Sequence, residues 1–166
     1  STLSQQLAKN LFPRKYYGIP GISIFINKVK ENIISIKLEK LYNKEELLTM
    51  YLNTVPFGGN RFGIQEASRY FYNKRPRQLT ADQAATLIGM LKATTALDPT
   101  RNPNNSKKRR DLVLSQMLKN KDFRFDDPEM ETISKMINNG AINEKEYEKY
   151  IAKPVSASIH EDIGNN

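Results

Sequence analysis

The sequence predicts an all-α fold, on three observations. Apolar residues recur at helical spacing along most of the chain. Two of those segments are preceded by a helix-start signature, Asn43 with Glu46 and Thr80 with Gln83. No alternating strand pattern or internal repeat competes with them.

Taken in order, STLSQQLAKN sets Leu3, Leu7 and Leu11 on one side of a helix and the pairs Gln5/Lys9 and Gln6/Asn10 on the other. This amphipathic helix should stop before Pro13. RKYYGIPGISIFI follows (residues 14–26), punctuated by Gly and Pro and strongly apolar. It reads either as a loop packed on the core or as a membrane-dipping segment, centred on 16–26 and flanked by Arg14, Lys15 and Lys28. From about Ser23 to residue 41 the helical period resumes, with Ile26, Val29, Ile33 and Ile36 in one stripe continued by Leu38 and Leu41. Asn43 then caps a helix presenting Leu47, Leu48, Tyr51 and Leu52. TVPFGGNRFG is a loop holding a short extended piece, and GIQEASRYFYN is a short helix. Thr80 opens QAATLIGMLKA, by composition the most buried helix. ALDPTRNPNNS is a loop, and the next helix starts at the basic run KKRR (107–110). Two further helices are expected at about 128–138 and 143–152, split by Asn139-Gly140, and the tail from Lys153 should fray.

The 166 residues amount to about one domain, and the 39% hydrophobic fraction suffices for a core. A net charge of +8 calls for an anionic partner: nucleic acid, a phosphorylated ligand or an anionic membrane surface. Without cysteine there are no disulfides or thiolate metal sites, and a single histidine, His160, cannot form a histidine cluster. No apolar run reaches the roughly 18 residues of a spanning helix.

Three groups of residues have chemistry available. Lys28 and Glu31, at i and i+3, put a carboxylate amid positive charge; this is either a surface ion pair or an acid/base or metal-holding group beside an anion site. Gln5, Gln6, Lys9 and Asn10 are either a solvated face or a surface for sugar hydroxyls, acetamides and phosphates. Positive charge at a helix start is unfavourable, so KKRR needs an anion partner or salt bridges. No nucleic-acid motif accompanies it, and aromatics are not interleaved with it.

Four stretches together resemble the peptidoglycan glycosyltransferase domain of class A penicillin-binding proteins and monofunctional transglycosylases. STLSQQLAKN is similar to the family's second motif, G-x-S-T-x-x-Q-Q-L-x-K-N. KVKE (28–31) is similar to the end of the third, R-K-x-x-E. KEELLTMYLN (44–53) resembles the fourth, and RRDLVLSQM (109–117) the fifth, R-x-x-x-V-L-x-x-M. The resemblance runs from residue 1 to about 120. It implies a lysozyme-like glycosyltransferase lobe with a smaller membrane-facing segment, within a partial domain of residues 1–152 and a tail or linker start at 153–166.

The implied reaction polymerises lipid II. A sugar 4-hydroxyl attacks the donor's anomeric carbon, and undecaprenyl pyrophosphate leaves with inversion. By resemblance Glu31 is the family's second carboxylate, orienting a cation or holding a divalent metal (Mg or Mn); no other cofactor is called for. Ser1, Thr2, Gln5, Gln6, Lys9, Asn10 and Lys28 would line the donor site, with Lys9, Lys28 and Arg109 or Arg110 as sources of positive charge. Tyr51 and Asn53, which match the fourth motif, read as structural, Tyr51 by packing and Asn53 by fixing the turn after its helix; Arg109 and Met117 also read as scaffold. The implied partners are lipid II, the growing glycan strand, the membrane, other cell-wall synthesis proteins and the inhibitor moenomycin, with no nucleic acid. The implied place is the extracytoplasmic, periplasmic side of the bacterial inner membrane, in cell-wall synthesis and cell shape. Two departures stand out. The family's first motif, with its general-base Glu, lies upstream of these residues, so by themselves they are expected to polymerise nothing. Asn27 stands where the third motif usually has Arg, and Arg14, Lys28 and Lys30 are the neighbours able to replace that cation. The competing reading is a non-catalytic basic helical module on an anionic membrane or nucleic acid.

Overall fold

The computed structural model describes residues 2–119 and 142–160, which form seven α-helices and two short 3-10 turns. The fold is all-α as predicted; the extended piece expected in the 54–63 loop is a single bridge between Pro56 and Phe62. The chain divides into two units, residues 1–55 and 56–166.

The first unit holds α1 (Leu3–Leu11), α2 (Pro20–Leu41) and α3 (Lys44–Thr54). Thr2 caps α1 in a reciprocal box: its hydroxyl accepts the Gln5 N–H at 3.3 Å, and its own N–H donates to Gln5 Oε1 at 3.0 Å. Asn43 and Glu46 form the predicted box on α3, with both bonds at 2.9 Å. α1 packs on α2 and α3, burying Ser4, Leu7 and Ala8, while Leu11 at the end of its expected stripe is exposed. Asn53 does not fix a turn. It lies inside α3 on the exposed side, and the Thr54 hydroxyl bonds back to Met50 O at 2.8 Å instead.

α2 departs from the expected reading twice. It begins at Pro20, so residues 20–26 are helix and not loop; proline's fixed φ suits the first helical position, where its missing N–H costs nothing. Its buried residues are polar, Ser23, Asn27, Glu31 and Ser35, spaced four apart on one face. The apolar stripe points out: Ile22, Phe25, Val29, Ile33 and Ile36 are all exposed, Phe25 at 69%. The segment is therefore not packed on a core.

The second unit holds α4 (Gly63–Tyr72), α5 (Ala81–Met90), α6 (Pro103–Lys119) and α7 (Glu144–Ala152). In the loop before α4, Phe57 N–H donates to Arg61 O at 2.9 Å and the Arg61 guanidinium stacks on Tyr70 at 3.8 Å. Gly59 (φ +56°) sits under that guanidinium, where an added Cβ would come within 3.1 Å of it. The Thr80–Gln83 box opens α5, whose buried residues, seven of ten, make it the most buried described helix. α5 packs along α6; Gly89 lets the Arg109 side chain pass, since a Cβ there would meet Arg109 Cγ at 3.0 Å. Ala85, Leu114 and Ile142 form a core onto which Val113, Met117, Tyr147 and Tyr150 pack.

The basic run 107–110 does not open its helix. Pro103 starts α6, and KKRR lies a turn further in, where Lys107 and Arg110 both pair with Asp111 at 2.8 and 2.7 Å. Nor does the chain fray at Lys153. The Lys153 carbonyl accepts from buried Arg110 at 2.9 Å, Val155 is buried, and His160 N–H donates to Phe71 O at 2.8 Å. The helix expected at 143–152 is α7, capped by Asn143, whereas the one expected at 128–138 lies outside the described residues.

Two leucines on α6 provide a test. Leu114 is fully buried and Leu112 is exposed. Leu114→Ala should lower the unfolding free energy by about 2–5 kcal/mol, and Leu112→Ala by no more than about 0.5 kcal/mol, as read from urea denaturation.

Candidate functional site

The site in the first unit starts from the inverted face of α2. A buried polar stripe must find hydrogen-bond partners, because each unpaired group would carry its full desolvation cost. Arg14, Lys15 and Tyr17, in the segment before the helix, supply them for Ser23, Asn27 and Glu31, while the Ser35 hydroxyl donates to Asn32 O at 2.8 Å. Tyr17 N–H donates to Ser23 Oγ at 2.8 Å. Lys15 N–H donates to Asn27 Oδ1 at 3.1 Å, and Asn27 Nδ2 returns bonds to Lys15 O and Ser23 O, each 2.7 Å. Arg14 then meets Glu31 as a two-pronged pair, Nε to Oε1 at 2.7 Å and Nη2 to Oε2 at 3.3 Å. The far end of the segment is held by the Lys30 amine, bonded to the Tyr17 hydroxyl and lying over its ring.

A cavity of about 250 Å³ opens beside this seam, its polar wall made by Arg14, Lys15, Asn27, Lys30 and Glu31. Ala8, Phe12 and Ile34 give it an apolar side. The Glu31 carboxyl titrates below the ordinary carboxylate range. The Arg14 hydrogen bond is the main cause, working against burial, and the charges of Arg14, Lys28 and Lys9 add to it. Glu31 is thus a permanent anion at neutral pH, suited to orienting cations and poorly suited to taking or giving a proton.

The structure gathers some of the predicted residues here. Lys28 Nζ stands 3.9 Å from Glu31 Oε2, and Lys9 is close enough to bias its titration. Thr2 and Gln5 form the helix cap instead, and the Gln5 Nε2 donates to Asn32 Oδ1 at 2.9 Å, so both ends of that amide brace the unit. Gln6 is exposed and Asn10 half-buried on α1, while Ser1 lies outside the described residues. Arg110 is buried against Asp111 and the Lys153 carbonyl, which removes it as a ligand for phosphate. Arg14 is central to the site yet carried no motif signal beyond its charge. Asn27 had one: Ser23, Asn27, Glu31 and Ser35 are polar residues spaced four apart along one face of α2.

The donor set around Glu31 does not fit a divalent cation. Arg14 takes its oxygens, Lys28 and Lys9 add positive charge, and among the described residues no three His, Cys, Asp or Glu side chains gather.

Because the folded-state pKa of Glu31 lies below its unfolded value, the pair adds stability above the unfolded pKa and loses it as pH falls through the folded one. The stability difference between wild type and Glu31→Gln should therefore favour wild type at pH 7 and shrink on acidification below the ordinary carboxylate pKa. Thermal melts across that range check this.

Comparison with known proteins bears on the same residues. A family model described as Transglycosylase matches residues 1–118. Penicillin-binding protein 1F of Bacillus subtilis is 43% identical over 117 residues, covering 70% of this chain and 16% of that protein. Penicillin-binding protein 1A/1B of the same organism is 36% identical over 165 residues, 97% of this chain and 17% of that protein. Penicillin-binding protein 2a of Streptococcus pneumoniae is 32% identical over 178 residues, covering all of this chain and 24% of that protein. The chain thus spans a quarter or less of the length of these relatives.

Proposed function

The chain belongs to the transglycosylase family, and from that we propose that it works in peptidoglycan polymerisation, extending glycan strands from lipid II with release of undecaprenyl pyrophosphate. The observation that carries this reading is the buried, permanently ionised Glu31 ringed by Arg14, Lys28 and Lys9. When the anomeric bond breaks, negative charge grows on the departing diphosphate. Cations already fixed in place stabilise that charge without reorganising. Glu31 fixes them, and a different carboxylate takes the proton of the attacking hydroxyl.

The outer face of α2 supports the second half of the reading, a place at the membrane. Ile22, Phe25, Val29, Ile33 and Ile36 form an exposed apolar stripe, with exposed Lys28 on one flank and Lys30 and Lys37 on the other. That is the pattern of a helix lying in a lipid interface, its apolar side immersed and its lysines reaching toward headgroups. Among the described residues no helix is long and apolar enough to cross the membrane. The site would then sit at the extracytoplasmic surface, where the polyprenyl tail stays in the lipid while its diphosphate reaches the cations.

The full gene product should polymerise lipid II, and Glu31→Gln should lose at least about 100-fold in rate while still binding it. Glycan strands resolved on gels check this; unchanged strand synthesis by Glu31→Gln would remove Glu31 from the site, and binding without synthesis by wild type would leave a scaffold. For the membrane, Phe25→Asp with Ile33→Asp should weaken co-sedimentation with phosphatidylglycerol vesicles by at least about 10-fold. Helix content by circular dichroism should not change, since both side chains are exposed.

A further inference from the structure

A second polar cavity lies wholly within the second unit, at the C-terminal end of α4. It holds about 350 Å³, and its walls are Gln65, Arg69, Asn73, Lys74, Arg75 and Gln78. The lining is therefore amides and cations, with no carboxylate and no apolar side chain. The turn that carries these groups is fixed by hydrogen bonds. Asn73 ends α4 in the left-handed region (φ +50°), and its N–H donates to Arg69 O at 2.9 Å. Ser68 Oγ donates to Lys74 O at 2.7 Å. Arg75 N–H donates to Gln78 Oε1 at 3.0 Å, and Gln78 N–H returns to Arg75 O at 2.9 Å.

The charge in this cavity is not balanced from within. Lys74 is half-buried, and its amine donates to Oε1 of buried Gln83 at 3.0 Å. A neutral amide satisfies one of its protons but not its charge. Among the described residues none of Arg69, Lys74 and Arg75 forms an ion pair, not even Arg69 with Glu66 one turn earlier. The end of a helix carries roughly half a negative charge, which offsets only part of three cations.

We propose that this cavity binds an acidic N-acetylated sugar, the carboxylate-bearing unit of a glycan strand. The guanidiniums of Arg69 and Arg75 match the planar fork of a carboxylate. Gln65, Asn73 and Gln78 supply amides for an acetamide group and for hydroxyls. A bare phosphate accepts hydrogen bonds only, and would have no use for the amide oxygens of Gln65 and Asn73. That the sugar belongs to the strand made by this protein rests on the glycosyl-transfer reading above.

The test is calorimetric titration of the full gene product with N-acetylmuramic acid, N-acetylglucosamine and inorganic phosphate, with lipid II polymerisation measured on the same preparation. Wild type should bind N-acetylmuramic acid, which carries a lactyl carboxylate, at least about 10-fold more tightly than neutral N-acetylglucosamine. Arg69→Gln/Arg75→Gln removes two exposed cations and should abolish that preference. Lys74→Gln should reduce it, and Glu31→Gln, in the other unit, should leave it intact. Arg69→Lys/Arg75→Lys keeps the charge but loses the forks, and should retain only part of the preference. Equal affinity for the two sugars in wild type, or an unchanged preference in Arg69→Gln/Arg75→Gln, would overturn the assignment. So would phosphate bound as tightly as N-acetylmuramic acid with the same response to substitution, the behaviour of a bare anion site. Any of these results with polymerisation intact leaves the glycosyl-transfer reading standing. Binding of N-acetylmuramic acid that follows Arg69 and Arg75, without polymerisation by wild type, keeps the site and removes that reading.

Discussion

Burying the Glu31 carboxylate constrains the whole first unit. An ionised carboxylate leaves water only if charge and hydrogen bonds replace the lost hydration, and a partner on an adjacent helix turn is insufficient when it is as distant as Lys28. The Arg14 fork supplies the rest, so the chain between α1 and α2 has to come back along the helix. Ser23 and Asn27 bind its backbone in passing. Once the polar residues of α2 are committed inward, Ile22, Phe25, Val29, Ile33 and Ile36 on the opposite side are left facing out. The cation cluster and the exposed apolar stripe are thus two results of the same placement.

The second unit meets a similar demand by other means. Arg110 is buried to 1% exposure, yet its charge is balanced by its own neighbour Asp111, and its Nη1 donates to the carbonyl of Lys153. That last bond anchors the stretch after α7 to α6. A residue that looks like a ligand for anions is in fact a structural pin, and the Gly89–Arg109 crossing next to it is set by the absence of a side chain.

Much of this was legible in the sequence, and the limits have physical causes. Capping boxes are local chemistry, so Asn43, Thr80 and the helices they open could be read directly. Motif order sufficed to bring Glu31 and Lys28 into one site. Periodicity showed that α2 is a helix but could not say which face is inside, because spacing is the same for a stripe that meets a core and one that meets solvent or lipid. Asn27 was legible as a lost cation and as one step of a polar face, but not as the residue that bonds both the N–H and the carbonyl of Lys15. That bonding depends on the path of residues 13–17, a tertiary relation that no spacing encodes. Pro103 and the asparagines after it have the composition of a loop although they form the first turn of α6, and in sequence alone that puts KKRR at a helix start.

The inverted helix also divides the kinds of change that α2 tolerates. On its inner face Ser23 and Ser35 are buried with their hydroxyls bonded to backbone, so volume and hydrogen-bonding capacity are both fixed. On its outer face the side chains are exposed among the described residues, and the lipid surface proposed for them asks only that they be apolar. Leucine, isoleucine, valine and phenylalanine should interchange freely there. The helix is therefore constrained in shape along one edge and only in polarity along the other, the reverse of what an ordinary amphipathic helix of a water-soluble protein shows.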